Sequence, residues 1–210
     1  MVTIYEEIKK EITSKKIVLL SICILFILGL LFGSLYITIL GNDEKKEILS
    51  SVNNYFSSFS NITFHDKLNI FKNDLIKNLL YFIILWCLGL CILGLPIIFI
   101  MIFFKSFIAG FSIAGIFAKY KITGLIGILI YIFPNAIVTL LLSIFLGTYS
   151  SILSIRLVRE SFTKKNLNFG SFMGKYFFVL LICILIIIIC SLFDAFISPL
   201  LYKIFVNTIK

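Results

Sequence analysis

The sequence predicts an all-α fold, a polytopic bundle of membrane-spanning helices, on two observations. Of its 210 residues, 60% are hydrophobic, and the charged residues lie almost entirely outside long apolar stretches, whose interiors contain only Lys105. A helix needs about 20 apolar residues to cross a hydrocarbon core, and its backbone polar groups must be satisfied within the helix. The apolar stretches are residues 17–40, 79–118, 122–150 and 176–193.

The stretch 79–118 is long enough for two crossings. As one helix it would extend about 60 Å, roughly twice the thickness of a bilayer core. A turn at Lys105 would leave only residues 106–118 for the second crossing, which is short. Gly94-Leu95-Pro96 is a stronger chain breaker. We therefore predict spans over 79–95 and 97–118, and about five spans in the whole chain.

The distribution of charge predicts the orientation of a single membrane domain over residues 1–210. Residues 1–16 form a lysine-rich amphipathic segment and 151–175 form a basic loop, and both are predicted to be cytoplasmic by the positive-inside tendency. Residues 41–78 are predicted to be external, with the N-terminus inside and the C-terminus outside. Because the basic residues flank spans, membrane lipids are the expected contact of the +9 net charge, and no nucleic acid is expected.

Segment 41–78 predicts two short amphipathic helices. The second follows Thr63-x-x-Asp66, a pattern typical of a capping box. The first carries Tyr55, Phe56 and Phe59 on one face. This aromatic face is either packed on the membrane or the bundle mouth, or a docking surface for a partner outside the cytoplasm.

Residue types that carry chemistry are scarce. The five cysteines lie within apolar stretches without Cys-x-x-Cys spacing, so neither a disulfide nor a metal site is expected. The one histidine, His65, falls in the predicted external segment, and no acid lies deep within a predicted span. We therefore predict no catalytic residue, no cofactor and no metal, and a protein that is not an enzyme.

Small residues at four-residue spacing predict close helix packing. Lipid gives no hydrophobic drive for helices to associate, so close approach over small side chains is the usual means. The contact is either within the bundle, which we favour, or with another subunit. The candidate packing residues are Gly29 and Gly33 in the first span and Ser106, Gly110, Ala114 and Ala118 in the third.

Three further residues are candidate polar features inside the membrane. Lys105 either extends its amine to the nearer interface or lines an internal polar contact. Pro134 interrupts the predicted span 122–150, and Asn135 could satisfy a freed carbonyl or bond across helices. This pair is either a simple kink or a polar pivot.

A series of features occurs in a fixed order along the chain. They are Trp86, Gly94-Leu95-Pro96, Lys105-Ser106, Gly110-Phe111, Gly115, Pro134-Asn135, Gly147, Arg156, Arg159, Asp194 and Ile197-Ser198-Pro199-Leu200. Their order resembles the stage II sporulation protein M family from about residue 10 to the C-terminus. Two positions depart from the family pattern: Ser106 stands where the family has glycine, and Asp194 where it has glutamate.

The resemblance implies a non-enzymatic role in endospore formation. A family member of this kind sits in the mother-cell membrane at the septum. It recruits a peptidoglycan-cleaving glycosidase and a cell-wall amidase, so that the mother cell can engulf the forespore. A transporter or permease subunit is the alternative, and it would depend on Lys105, Asn135 and the interiors of the spans.

Overall fold

The computed structural model describes residues 2–58, 63–91, 93–131, 135–163 and 169–209 and, within these ranges, consists of helices joined by short connections. The predicted all-α membrane bundle is confirmed. The helices are α1 (Val2–Ile39), α2 (Asn42–Ser58), α3 (Phe64–Gly89), α4 (Gly94–Tyr120), α5 (Gly124–Tyr131), α6 (Ile137–Thr163), α7 (Phe169–Phe196) and α8 (Ser198–Ile209).

Within the described residues, four helical segments are long and apolar enough to cross a membrane. They are Lys16–Ile39, Gly94–Tyr120, Ile137–Val158 and Tyr176–Lys203. Much of their surface carries exposed leucine, isoleucine and phenylalanine side chains. In water such surfaces would drive association, whereas in a bilayer they face lipid tails of equal polarity.

The predicted turn at Gly94-Leu95-Pro96 is four residues too late. The helix α3 ends at Gly89, and Gly94 begins α4, so Pro96 lies in the first turn of a helix. Proline is tolerated there because the first backbone N–H groups of a helix have no intrahelical partner. The predicted span 79–95 is therefore shortened to 79–89, which is too short to cross alone.

Helix α3 makes up the missing length from the segment predicted to be external. It is one continuous helix of 26 residues, about 39 Å long. It runs antiparallel to α7 along its whole length, with Trp86 stacked on Tyr176 at one end and Phe64 beside Phe196 at the other. Part of the polar segment 41–78 thus lies alongside a membrane helix instead of outside the bundle.

The start of α3 follows the predicted capping box, which is confirmed. The Thr63 hydroxyl accepts a hydrogen bond from the Asp66 backbone N–H, and the Asp66 carboxylate accepts one from the Thr63 N–H at 3.0 Å. The same carboxylate also accepts from the Thr63 hydroxyl. These bonds from Thr63 hold the pKa of Asp66 below its usual value.

Two other predicted segments differ in the structure. The predicted span 122–150 is divided into α5 and α6, and Pro134 lies outside the described residues, between them. The predicted loop 151–175 is largely helical, since α6 continues to Thr163 and α7 begins at Phe169. Residues 2–16 continue directly into the first span as part of α1.

The bundle has two distinct ends. At one end, which we call the α2 end, Phe56 of α2 packs with Ile116 of α4 and Tyr202 of α8. The α3–α4 turn lies at the opposite end, where the Cys91 carbonyl accepts a hydrogen bond from Ser154 of α6. Helices α1 and α4 run parallel between these ends, and α3 and α6 run in the other direction.

Candidate functional site

The antiparallel course of α3 along α7 brings polar side chains from several helices together inside the bundle. We call this group the polar cluster. The members come from five parts of the chain that the sequence did not place together. These parts are α3, α4, the residues just before α6, the end of α7 and the start of α8. The polar cluster comprises Asp74, Asn78, Lys105, Asn135, Ser191, Asp194 and Ser198.

Asp74 is the most highly connected member of the polar cluster. Its carboxylate accepts hydrogen bonds from Asn78 at 3.1 Å, from Asn135 at 3.2 Å and from Ser191 at 2.6 Å. These donors belong to three different helical segments, so Asp74 ties α3 to both α6 and α7. Three donors replace much of the hydration that an ionised carboxylate loses on burial.

Asn135 joins the two acids of the cluster. Its Nδ2 donates both to Asp74 and, at 2.8 Å, to Asp194. The other oxygen of Asp194 accepts from the Ser198 hydroxyl at 2.7 Å. Because ionised carboxylates only accept hydrogen bonds, the NH₂ group of the amide must face them. The amide oxygen Oδ1 is consequently directed elsewhere, where it is buried and accepts no hydrogen bond from the residues that the structure describes.

Lys105 makes an internal contact, which is one of the two alternatives that the sequence left open. Its Nζ donates to Asn78 Oδ1 at 3.4 Å and lies 4.0 Å from the ring centre of Tyr81 and 5.0 Å from that of Phe82. The Asn78 amide therefore stands between the ammonium group and Asp74. The aromatic faces add a cation–π attraction, which is strongest where water is excluded.

The polar cluster borders a cavity of about 740 Å³. Asp74, Asn135 and Asp194 line one part of it, and Lys105 another. Its remaining wall includes Ile100, Phe104 and Ile108, which repeat every four residues on a face of α4 and are more than half exposed. The cavity thus combines charged groups with an apolar wall that extends to the lipid-facing surface.

No acid lies within the predicted spans 79–95 and 176–193, but the polar cluster contains two acids that lie outside them, Asp74 and Asp194. Asp194 is in the last turn of α7, three residues beyond Ser191, which donates a hydrogen bond to Asp74. Asp74 lies in the middle of α3, ahead of the apolar run that marked the predicted span. Lys105 accordingly has an acid nearby in the bundle. Acids within a membrane are costly, so their presence marks a functional site by default.

Asn135 lies at the junction between α5 and α6. Its carbonyl accepts a hydrogen bond from the Thr139 hydroxyl at 2.8 Å, which satisfies a backbone group at the start of α6. The side chain is then free to reach both acids. The amide therefore bonds across helices at the point where the predicted span is divided between α5 and α6.

The small residues lie between α1 and α4. A Cβ added at Gly33 would overlap the carbonyl oxygen of Phe107, and one at Gly110 would overlap that of Leu30. Gly29 faces the hydroxyl of Ser106, which is fully buried. The serine at position 106 therefore fits because α1 presents a glycine there. Ala114 and Ala118 are partly buried farther along α4.

The aromatic residues of α2 do not form a free docking face. Phe56 is only 1% exposed, with its ring 5.8 Å from that of Tyr120 and 5.4 Å from that of Tyr202. Tyr55 is 44% exposed and also contacts Tyr202, and Phe59 lies outside the described residues. Phe56 is a core residue that fixes α2 to α4 and α8, so the predicted role of this ring in docking is corrected.

These features define a polytopic helical membrane protein with a charged site inside its bundle. Residues 22–199 match the model of the family described as stage II sporulation protein M. The match covers most of the chain, so the protein belongs to this family, and the resemblance noted in the sequence is confirmed. Membership implies a sporulation-related membrane protein. No curated protein matches the chain, and no solved structure does.

Proposed function

We propose that the protein is a non-enzymatic membrane scaffold of endospore formation, which recruits peptidoglycan hydrolases to the septum for engulfment of the forespore. Its family supports the link to sporulation. In this proposal the N-terminus is cytoplasmic, the α2 end faces outward from the mother-cell membrane, and a glycosidase and an amidase are the recruited partners.

The observation that carries the proposal is the way α2 is mounted on the bundle. Phe56 anchors the inner side of the helix, while the opposite side is exposed and polar. A polar helix held rigidly at a bundle end offers a hydrogen-bonding surface without a conformational cost on binding. We call this side the outer face of α2; it consists of Asp43, Glu47, Ser50, Asn54 and Ser57.

The proposal predicts a recruitment defect when the outer face of α2 changes charge. In a spore-forming host, the double variant Glu47→Lys, Asn54→Lys should reach the septum at normal levels, because both side chains are exposed. Fluorescently labelled hydrolases should no longer gather there, and the forespore should remain unengulfed. Microscopy of the labelled hydrolases in sporulating cells provides the measurement.

The matched control is Lys119→Glu, a charge change at the same end of the bundle but outside α2, where the lysine is exposed. It should leave recruitment intact. If the double variant recruits hydrolases as well as this control does, the outer face of α2 is not the docking surface.

A second candidate function, a transporter or permease subunit, is favoured by the polar cluster and its cavity. Charged groups that meet inside a bundle of membrane helices are the usual setting of transport sites. Lys105→Ala distinguishes the two functions. If it abolishes sporulation while hydrolase recruitment remains normal, the transport function is favoured; if recruitment fails equally, the polar cluster serves the scaffold.

A further inference from the structure

The cavity beside the polar cluster lies in a cleft between α3 and α4, which we call the α3–α4 cleft. A short connection joins these helices, but α3 packs mainly on α6 and α7, whereas α4 packs mainly on α1. The cleft is open at its side, because Phe104 and Ile108 line it and are 57% and 60% exposed. Both residues lie in the candidate span Gly94–Tyr120, so the opening faces the lipid of the surrounding bilayer.

The two walls of the α3–α4 cleft differ in polarity. The α4 wall carries Ile100, Phe104 and Ile108 and is mostly apolar, although Lys105 also lines it. The lining residues of α3 fall at i, i+3, i+4 and i+7, which is the spacing of one helix face. All of them are polar: Asp74, Lys77, Asn78 and Tyr81. A cleft with one polar and one apolar wall fits an amphiphile, whose headgroup and hydrocarbon chain need different surroundings.

The cleft contains charges of both signs that do not pair with each other. Asp74 and Lys105 are separated by the Asn78 amide, and Asp194 accepts hydrogen bonds only from neutral groups. Neither these residues nor Lys77 forms an ion pair with another described residue. Asp74, Lys105 and Asp194 are only partly buried, so each presents accessible surface where it lines the cleft. Charged groups within a membrane normally pair with one another, so a ligand that carries both charges would complete this site.

We propose that the α3–α4 cleft binds a bilayer phospholipid with a zwitterionic headgroup that ends in a primary ammonium group, as in phosphatidylethanolamine. The ammonium group donates hydrogen bonds to Asp194, and the phosphate accepts them from Lys105. The acyl chains lie along the apolar wall of α4. Asp74 contributes less to the headgroup because three donors already occupy its carboxylate. This inference does not rest on hydrolase recruitment.

The charges of the cleft distinguish this headgroup from the other common ones. Two acids repel an anionic headgroup such as that of phosphatidylglycerol, although the lysines attract its phosphate. Phosphatidylcholine has the same two charges as phosphatidylethanolamine, but its quaternary ammonium group has no N–H to donate to a carboxylate. The volume of about 740 Å³ also lies within the range of roughly 300–1,000 Å³ that is usual for ligand sites.

The test is native mass spectrometry of the full-length protein purified in detergent, to which synthetic lipids with identical acyl chains are added. Phosphatidylethanolamine should bind about tenfold more tightly than phosphatidylcholine, the difference expected for one hydrogen bond to a charged group. Phosphatidylglycerol should bind no better than phosphatidylcholine. Equal binding of phosphatidylethanolamine and phosphatidylcholine, tighter binding of phosphatidylglycerol, or binding of none of the three would each overturn the proposal.

Two variants separate the two halves of the headgroup. Asp194→Asn should lower the binding of phosphatidylethanolamine to the level of phosphatidylcholine and leave phosphatidylcholine unchanged. Lys105→Met should weaken both lipids by a similar factor, because both carry the phosphate. A merely structural role of Asp194 would not change the ratio between the two lipids. An Asp194→Asn protein that keeps the wild-type ratio would therefore contradict the proposal.

The matched controls are Asp43→Asn and Lys119→Met, which remove the same charges from exposed positions outside the cleft. Both should bind the three lipids as the wild-type protein does. Thermal unfolding followed by fluorescence of Trp86, the single tryptophan, shows whether each variant is folded. If Asp194→Asn does not fold, the wild-type preference among the three headgroups decides: a preference for phosphatidylethanolamine supports the proposal, and its absence refutes it.

Discussion

Replacing Gly110 with leucine is expected to separate α1 from α4 and to lower the amount of folded protein in the membrane sharply. The added side chain would meet the backbone of Leu30, which cannot move aside as a flexible side chain can. Overpacking usually lowers the free energy of unfolding by about 1–3 kcal/mol. Because the obstacle here is backbone, we expect the loss for this variant to reach or exceed the upper value. This loss is a large part of the total free energy of unfolding of a typical protein, which is about 5–15 kcal/mol.

The measurement is the membrane level by immunoblot together with the unfolding temperature of the purified protein. Gly174→Leu is the matched control, since nothing lies within 4 Å of a Cβ added at Gly174 in α7. Both substitutions improve intrinsic helix propensity by a similar amount, so a difference between them reports packing alone. Equal tolerance at the two positions would show that Gly110 does not hold the helices together.

Asp74→Ala is expected to destabilise the bundle at the α3–α7 interface. The change leaves the donors of Asn78, Asn135 and Ser191 without their acceptor. At roughly 0.6 kcal/mol for each hydrogen bond between membrane helices, the two bonds from Asn135 and Ser191 account for about 1 kcal/mol of this loss. The loss of stability increases further because Lys105 is left without a carboxylate linked to it through Asn78.

Thermal unfolding followed by Trp86 fluorescence measures this loss directly, because that ring stacks on Tyr176 across the same interface. Asp43→Ala is the control, since the Asp43 side chain is 98% exposed and its one ion pair among the described residues is with Lys46, at 3.4 Å. The control should unfold within a degree or so of wild type. Similar unfolding temperatures for the two variants would mean that Asp74 does not join the helices.

Local signals in the sequence predicted the features that depend on neighbouring residues. The apolar stretches predicted the membrane bundle, and Thr63 with Asp66 predicted the start of α3. The turn was misplaced because Gly94 and Pro96 suit the first turn of a helix as well as they suit a chain break. That shift of four residues changed the interpretation of the whole of α3.

The polar cluster could not be predicted because the hydrogen bonds that join Asp74, Asn135, Ser191 and Asp194 link residues 59 to 117 positions apart in the sequence. Asp74 belongs to a sequence pattern typical of a helix that lies on a surface. No residue near it in the sequence indicates that this helix packs against α7. The two alternatives for Phe56 stayed open for a similar reason: an apolar stripe shows that one side of a helix is covered but not what covers it. The positions of α4 and α8 identify Phe56 as core.

Our central proposal is that α3, which is not among the four candidate spans, also crosses the membrane and carries Asp74 into the bundle. Impermeant thiol labelling of intact cells tests it with two proteins, each containing one cysteine. One keeps only Cys91, which is exposed near the α3–α4 turn, and the other carries only Asn54→Cys on the outer face of α2.

We expect the cysteine at position 54 to react on intact cells and Cys91 to react only after the cells are permeabilised. These results would place the two ends of α3 on opposite sides of the membrane. Labelling of Cys91 from outside, together with position 54, would show that α3 does not cross and would contradict the position of the polar cluster within the membrane.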